Sequence, residues 1–187
     1  MPKVFELEIV LQEVHPRVRR RLLLPASASF FTLHTAIQES FGWTDAHLWE
    51  FRLPTFRGRP IAGLPGGEEW DRPTPLAGQV KLSAYFWGIR ATEWCEYVYD
   101  FGDDWVHDVK LVAPRIEKET FKRRLIGGEG VAPPEDCGGP GGYAELQRFL
   151  ATGEDRLGGD PEGLRAWLGG WTPGGFDLAA AKAAFDR

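Results

Sequence analysis

Residues 94–111, WCEYVYDFGDDWVHDVKL, constrain the fold more than any other stretch. Two runs of alternating side chains flank a glycine-containing turn, which is the pattern of a β-hairpin. Cys95, Tyr97, Tyr99 and Phe101 share one face of the first run, and Trp105, His107, Val109 and Leu111 share a face of the second. A connection through Gly102, Asp103 and Asp104 pairs Phe101 with Trp105 and places both rows, with His107, on one side of a sheet. Aromatic side chains bury large areas, so this face requires a cover from elsewhere in the chain.

The N-terminal part supplies more sheet and a helix. Residues 4–11 alternate, with Phe5, Leu7, Ile9 and Leu11 on one face and Glu6 and Glu8 on the other. His15-Pro16 marks a turn. Residues 17–24 form a second strand with Val18, Arg20, Leu22 and Leu24 inward and Arg17, Arg19 and Arg21 outward, a solvated face that discourages edge pairing. Ser29 opens a helix whose Phe30, Leu33, Ile37 and Phe41 recur at helical spacing, and Gly42 ends it. His34 falls at the margin of its buried face. Residues 47–53 give a third strand, with His47, Trp49, Phe51 and Leu53 on one side.

Residues 54–75 are rich in proline and glycine and read as a long surface loop without regular structure, pinned by Trp70. A short helix capped by Ser83 precedes the hairpin. Residues 117–124 read as a short exposed segment, helical or irregular, and the proline and glycine density of 126–143 argues for a loop. Helices follow within 143–187. The first buries Tyr143, Leu146, Phe149 and Leu150. The second opens on Asp160 as N-cap with Pro161 behind it and buries Leu164, Trp167 and Leu168. The third starts near Asp177. The expected fold is therefore α+β: a mixed β-sheet with an N-terminal β-β-α-β unit resembling a β-grasp, a central hairpin and C-terminal helices. One domain is expected to span residues 1–187.

Several pieces resemble one known family, the plasmid pRiA4b ORF-3-like proteins. They are Arg20-Arg21 before Pro25, Leu33-His34, Gly42-Trp43, His47-Leu48 with Glu50-Phe51, Tyr97 with the run Tyr99 to Trp105 and His107, and Pro133 to Gly139 with Gly142-Tyr143. The resemblance implies an α+β domain associated with plasmids and other mobile elements, and no established activity. Family members commonly carry cysteines at the positions of Leu125 and Ala132, and neither is present in this chain. A thiol-based metal site or disulfide at those positions is thus lost here.

The chemistry of the residues leaves two functions open. Arg20 lies among aliphatic side chains, where an unpaired charge is costly. Its expected partner is Asp100, in an internal ion pair. Asp103, Asp104, Glu135 and Asp136 surround the hairpin tip with Trp105 and Tyr143, a mixture of acids and aromatics typical of a recognition surface. On this reading the domain is a non-catalytic module that binds a protein or a nucleic acid, with no cofactor. The alternative is a metal-dependent hydrolase, such as a nuclease, in which Asp103, Asp104 and Asp136 hold Mg²⁺, Mn²⁺ or Zn²⁺ and activate water. No GxSxG, P-loop, GxGxxG or HExxH motif is present. The net charge of −5 disfavours general binding to nucleic acid or anionic membrane. Two cysteines rule out a four-thiolate zinc site within one chain and allow at most one disulfide. With no secretory signal at the start and no membrane-length apolar run, a reduced cytoplasmic protein is expected.

Overall fold

A computed structural model of the chain describes residues 1, 3–54, 58–64, 74–87, 92–153 and 160–186. Trp70 and much of the 54–75 stretch lie outside the described residues. The first two strands form as their alternation predicts: β1 (Lys3–Leu11) pairs antiparallel with β2 (Arg19–Pro25). Helix α1 (Phe30–Phe41) follows, with the Ser29 hydroxyl accepting the Thr32 amide and Gly42 ending the helix in the left-handed region. β3 (Trp49–Arg52) and β4 (Pro60–Gly63) come next, then the short α2 (Leu82–Phe86) and the hairpin β5 (Trp94–Tyr99) and β6 (Trp105–Ile116). β7 (Arg124–Glu129) and helices α3 (Gly139–Thr152), α4 (Pro161–Leu168) and α5 (Leu178–Phe185) complete the described elements.

The seven strands form one sheet in the order β4-β3-β5-β6-β1-β2-β7. The α+β class is as expected, but every pairing between these strands is antiparallel, so the sheet is not mixed. β6 and β5 lie between β1 and β3, and this order does not confirm a β-grasp-like unit. The hairpin thus sits at the centre of the sheet. Phe5, Leu7 and Ile9 of β1, Leu22 and Leu24 of β2, Phe51 of β3 and Tyr97 of β5 are fully buried in one core with Phe30, Leu33 and Ile37 of α1.

Several expectations fail for one reason: proline and glycine punctuate strands and helices as well as loops. β4 lies inside the presumed structureless loop, and β7 inside a stretch read as irregular. β7 covers β2, so the outward arginines do not guard an edge. Its Gly128 leaves room for a ring, since a Cβ there would come within 2.8 Å of Phe176. α3 begins at Gly139, inside the presumed loop. A Cβ on Gly139 (φ +67°) would stand 2.3 Å from the Asp103 carbonyl oxygen, so glycine is what lets this helix start against the hairpin tip. α2 starts one residue before Ser83, with Lys81 at its N-cap. Leu150 and Trp167, expected inside, are exposed at 38% and 48%. His34, placed at a margin, is fully buried. Glu6, assigned to solvent, is buried too, paired with Arg21 at 3.1 Å and with Arg115.

The proposed Arg20–Asp100 ion pair does not form. Arg20 is buried, and its guanidinium donates to the carbonyl oxygens of Ser40 (2.7 Å), Arg19 (2.8 Å), Glu129 (2.9 Å) and Gly130 (3.0 Å). The Phe176 ring lies 3.8 Å from its carbon and the Phe41 ring 5.0 Å. Burial lowers its pKa to about 10, which still leaves the cation charged at neutral pH. Backbone oxygens and ring faces take the place of a carboxylate, tying β2 to the end of α1 and to β7. Asp100 is occupied elsewhere. Truncating Arg20 to alanine strands several carbonyl acceptors at once and is therefore expected to cost more than about 2 kcal/mol of unfolding free energy. Asp100→Asn keeps a side-chain oxygen for its own turn and is expected to cost less than about 1 kcal/mol. Guanidinium denaturation reads both, and equal losses would restore the ion pair.

Candidate functional site

Three segments meet at the end of the sheet where the hairpin turns: residues 42–48 after α1, the hairpin turn 100–104, and residues 133–138 before α3. Gly42 directs Trp43 back into the core, where its indole stacks on Tyr99 (5.1 Å, 19°) and donates to the Pro133 carbonyl oxygen at 2.9 Å. Glu135 completes the junction. Its Oε2 accepts the Thr44 amide (2.8 Å) and hydroxyl (2.7 Å), while its Oε1 accepts the Tyr99 hydroxyl at 2.5 Å. The Tyr99 oxygen in turn accepts the Ala46 amide at 3.0 Å. Burial, then the adjacent carboxylate, pushes the Tyr99 phenol well above its ordinary range, so it stays a donor.

The turn is longer than expected. Tyr99, not Phe101, pairs with Trp105, which leaves residues 100–104 as the connection. The two registers differ by two residues, so both aromatic rows keep the faces assigned to them. The cause is Asp100, at φ +57°. Its carboxylate accepts the Gly102 amide (2.9 Å) and the Asp103 amide (3.4 Å), and its carbonyl accepts the Asp104 amide (2.7 Å). This is aspartate turn chemistry, and it lifts Phe101 out of the sheet to 41% exposure, away from the core position assigned to it.

The expected recognition residues therefore separate. Trp105 and Tyr143 are 1% and 2% exposed and belong to the core, as does Tyr99. Residues i and i+2 share a strand face, so Trp105 follows the row of Val109 inward; the sequence shows the alternation but not how completely the face is covered. Asp103 accepts the Gly138 amide at 3.1 Å, and Glu135 is committed as described. Asp104 and Asp136 are exposed. The Asp103–Asp104–Asp136 metal set is not what converges here. A different trio does: His47, Asp100 and Asp136 each offer a ligand atom within 4.8 Å of the others. His47 Nε2 lies 3.0 Å from Asp136 Oδ1, and His47 Nδ1 lies 3.6 Å from Asp100 Oδ2. The alternation of residues 47–53 puts His47 on one side of the third strand with Trp49, Phe51 and Leu53. That strand begins at Trp49, which leaves the imidazole at the rim.

The other histidines near the hairpin are structural. His34 stacks on Trp49 at 3.7 Å, contacts the Tyr97 hydroxyl at 2.8 Å and lies 2.9 Å from Asp45. His107 is fully buried, its Nδ1 facing the carbonyl oxygens of Trp105 (3.1 Å) and Tyr97 (3.3 Å). Burial brings its pKa down to about 3. Both cysteines are free. Burial, followed by Asp103, pushes the Cys137 thiol up to about 12, which removes the thiolate a nucleophile would need.

A sequence profile described as "Plasmid pRiA4b ORF-3-like protein" matches residues 3–180. The chain belongs to this family. Among curated relatives, an uncharacterized protein y4hQ of Sinorhizobium fredii (strain NBRC 101917 / NGR234) is 37% identical over 149 residues, covering 79% of this chain and 73% of its own. Among solved structures, a protein of unknown function, MM3350 from Methanosarcina mazei Go1, superposes with a TM-score of 0.78 at 32% identity, over 96% of each chain. That likeness extends over nearly the whole of both chains. Among the described residues no helix is long and apolar enough to cross a membrane.

The buried neutral state of His107 sets a pH dependence. An unfolded histidine titrates near pH ~6.5. Between about 6.5 and about 3 the unfolded chain takes up a proton that the folded chain refuses, so stability falls as pH falls through this window. The slope from this group approaches roughly 1.4 kcal/mol per pH unit. Denaturation of wild type and His107→Gln at pH 7 and pH 4.5 is expected to show a smaller loss on acidification in the variant. Equal losses would mean that His107 is protonated in the fold.

Proposed function

We propose that this domain is a non-catalytic interaction module whose acidic hairpin end docks a basic segment of a partner protein. The observation that carries this is the pairing of exposed apolar side chains with acids at one place. Leu48 is 53% exposed and Phe101 41%, and the Leu48 carbonyl accepts the Asp100 amide at 2.9 Å, so the two segments run side by side. Exposed Asp45, Asp104 and Asp136 belong to the same three segments. Lone exposed apolar residues are ordinary, but two with several carboxylates suit an anchor residue flanked by lysine or arginine.

A protein is favoured over a nucleic acid by charge. Acids at the tip repel phosphate, and the arginines of β2 are spent on neighbouring carboxylates: Arg19 meets Glu8 at 2.9 Å and Glu129 at 3.1 Å, and Arg21 meets Glu6 at 3.1 Å. We place the module, as one domain, in the cytoplasm; the plasmid in the family's description supports an accessory role in plasmid or transposon biology.

Peptide display against the purified domain tests this reading. Enriched sequences are expected to combine positive charge with one large apolar residue. Leu48→Glu with Phe101→Glu is expected to weaken a selected peptide by about tenfold or more, with the melting temperature little changed. Enrichment of acidic peptides, or binding indifferent to both substitutions, would remove the proposal.

A further inference from the structure

We infer that His47, Asp100 and Asp136 form a binding site for a divalent transition-metal cation, of the Zn²⁺ or Mn²⁺ class, that clamps the three segments at the hairpin end. This goes beyond the docking of a partner and does not depend on it. The three residues come from three separate segments: the loop after α1, the hairpin turn and the loop before α3. Their ligand atoms lie within 4.8 Å of one another, with Asp136 at the His47 Nε2 side and Asp100 at the Nδ1 side. Ligands bound at about 2.0–2.2 Å around one cation stand roughly 3 Å apart, and the 3.0 Å between His47 Nε2 and Asp136 Oδ1 already meets this spacing.

A second observation points the same way. His47 Nε2 is shielded from solvent and makes no hydrogen bond, although Asp136 Oδ1 is only 3.0 Å away. A shielded ring nitrogen that makes no hydrogen bond costs free energy, and a cation accepting both the nitrogen and the neighbouring carboxylate would relieve that cost. One imidazole with two carboxylates suits a borderline cation more than Ca²⁺ or Mg²⁺, which favour oxygen ligands alone.

Access and support fit the assignment. The Asp136 side chain is 65% exposed, leaving a path for an ion and room for water to complete its coordination. On the other side Asp100 is held by its turn, with Oδ1 accepting the Gly102 and Asp103 amides while Oδ2 faces His47. Glu135, one residue before Asp136, anchors that loop through Tyr99 and Thr44. Asp100 and the loop that carries Asp136 are thus held by groups that do not themselves bind the ion, as a prepared site requires. Asp103, Asp104 and Cys137 lie outside the trio.

The test is titration of the metal-free domain with ZnCl₂ and MnCl₂ by calorimetry, together with Co²⁺ absorption as a report on coordination. One cation per chain is expected, with a shift to higher melting temperature. Asp136→Asn, on an exposed side chain that leaves folding intact, is expected to weaken binding by about tenfold or more, and His47→Gln to do the same. Asp104→Asn and Cys137→Ser are expected to leave it unchanged. No binding by wild type at millimolar cation would overturn the inference and reduce His47 to an imidazole bridging two carboxylates. Binding that survives both Asp136→Asn and His47→Gln, or that is lost in Cys137→Ser alone, would overturn it as well.

Discussion

The Glu135 carboxylate is the contact on which the functional end of this molecule depends. One oxygen takes the Tyr99 hydroxyl and the other takes the Thr44 amide and hydroxyl, so a single side chain joins the central hairpin, the segment after α1 and the loop before α3. Charge-assisted hydrogen bonds of this kind are about twice as strong as neutral ones, and three of them converge here. Trp43 reinforces the junction by stacking on Tyr99 and bonding the Pro133 carbonyl. His47, Asp100 and Asp136 come together because this junction holds their backbones in place.

Arg20 performs a comparable task beside the end of α1 without a counter-ion. Four carbonyl oxygens surround its guanidinium and two aromatic rings flank it. The oxygens it occupies belong to Ser40 near the end of α1, to β2 itself and to the end of β7. A buried cation used this way satisfies backbone acceptors where strand and helix end, and those acceptors would otherwise be left bare. The large cost expected on truncation follows from the number of groups stranded at once.

Much of the architecture was readable in the chain. Alternation in residues 4–11 and 94–111 gave the central strands and their inward faces, and Ser29 and Gly42 bounded α1. Asp160 and Asp177 opened the last two helices, with their carboxylates accepting the Glu162 and Ala180 amides. What could not be read were the elements built with glycine and proline. β7 and the start of α3 use glycine because another part of the chain comes within contact distance, a requirement that leaves no trace in local periodicity. The candidate site is half legible in the sequence: Asp136 stands out, but Asp100 turns to its own backbone and not to Arg20, and His47 falls just before the strand that its alternation suggests.

Local sequence settled which residues form strands, which faces are apolar and where aspartate would shape a turn, since dihedral preference and side-chain alternation act over a few residues. It could not settle what meets what across the fold. Arg20 chose carbonyls over Asp100, Trp105 and Tyr143 went inside, and His47 met two carboxylates because strands distant in sequence lie side by side in the sheet. Those outcomes depend on the order β4-β3-β5-β6-β1-β2-β7 and on the loops it brings to one end. The hairpin was evident from its own residues, and its neighbours gave its tip a site.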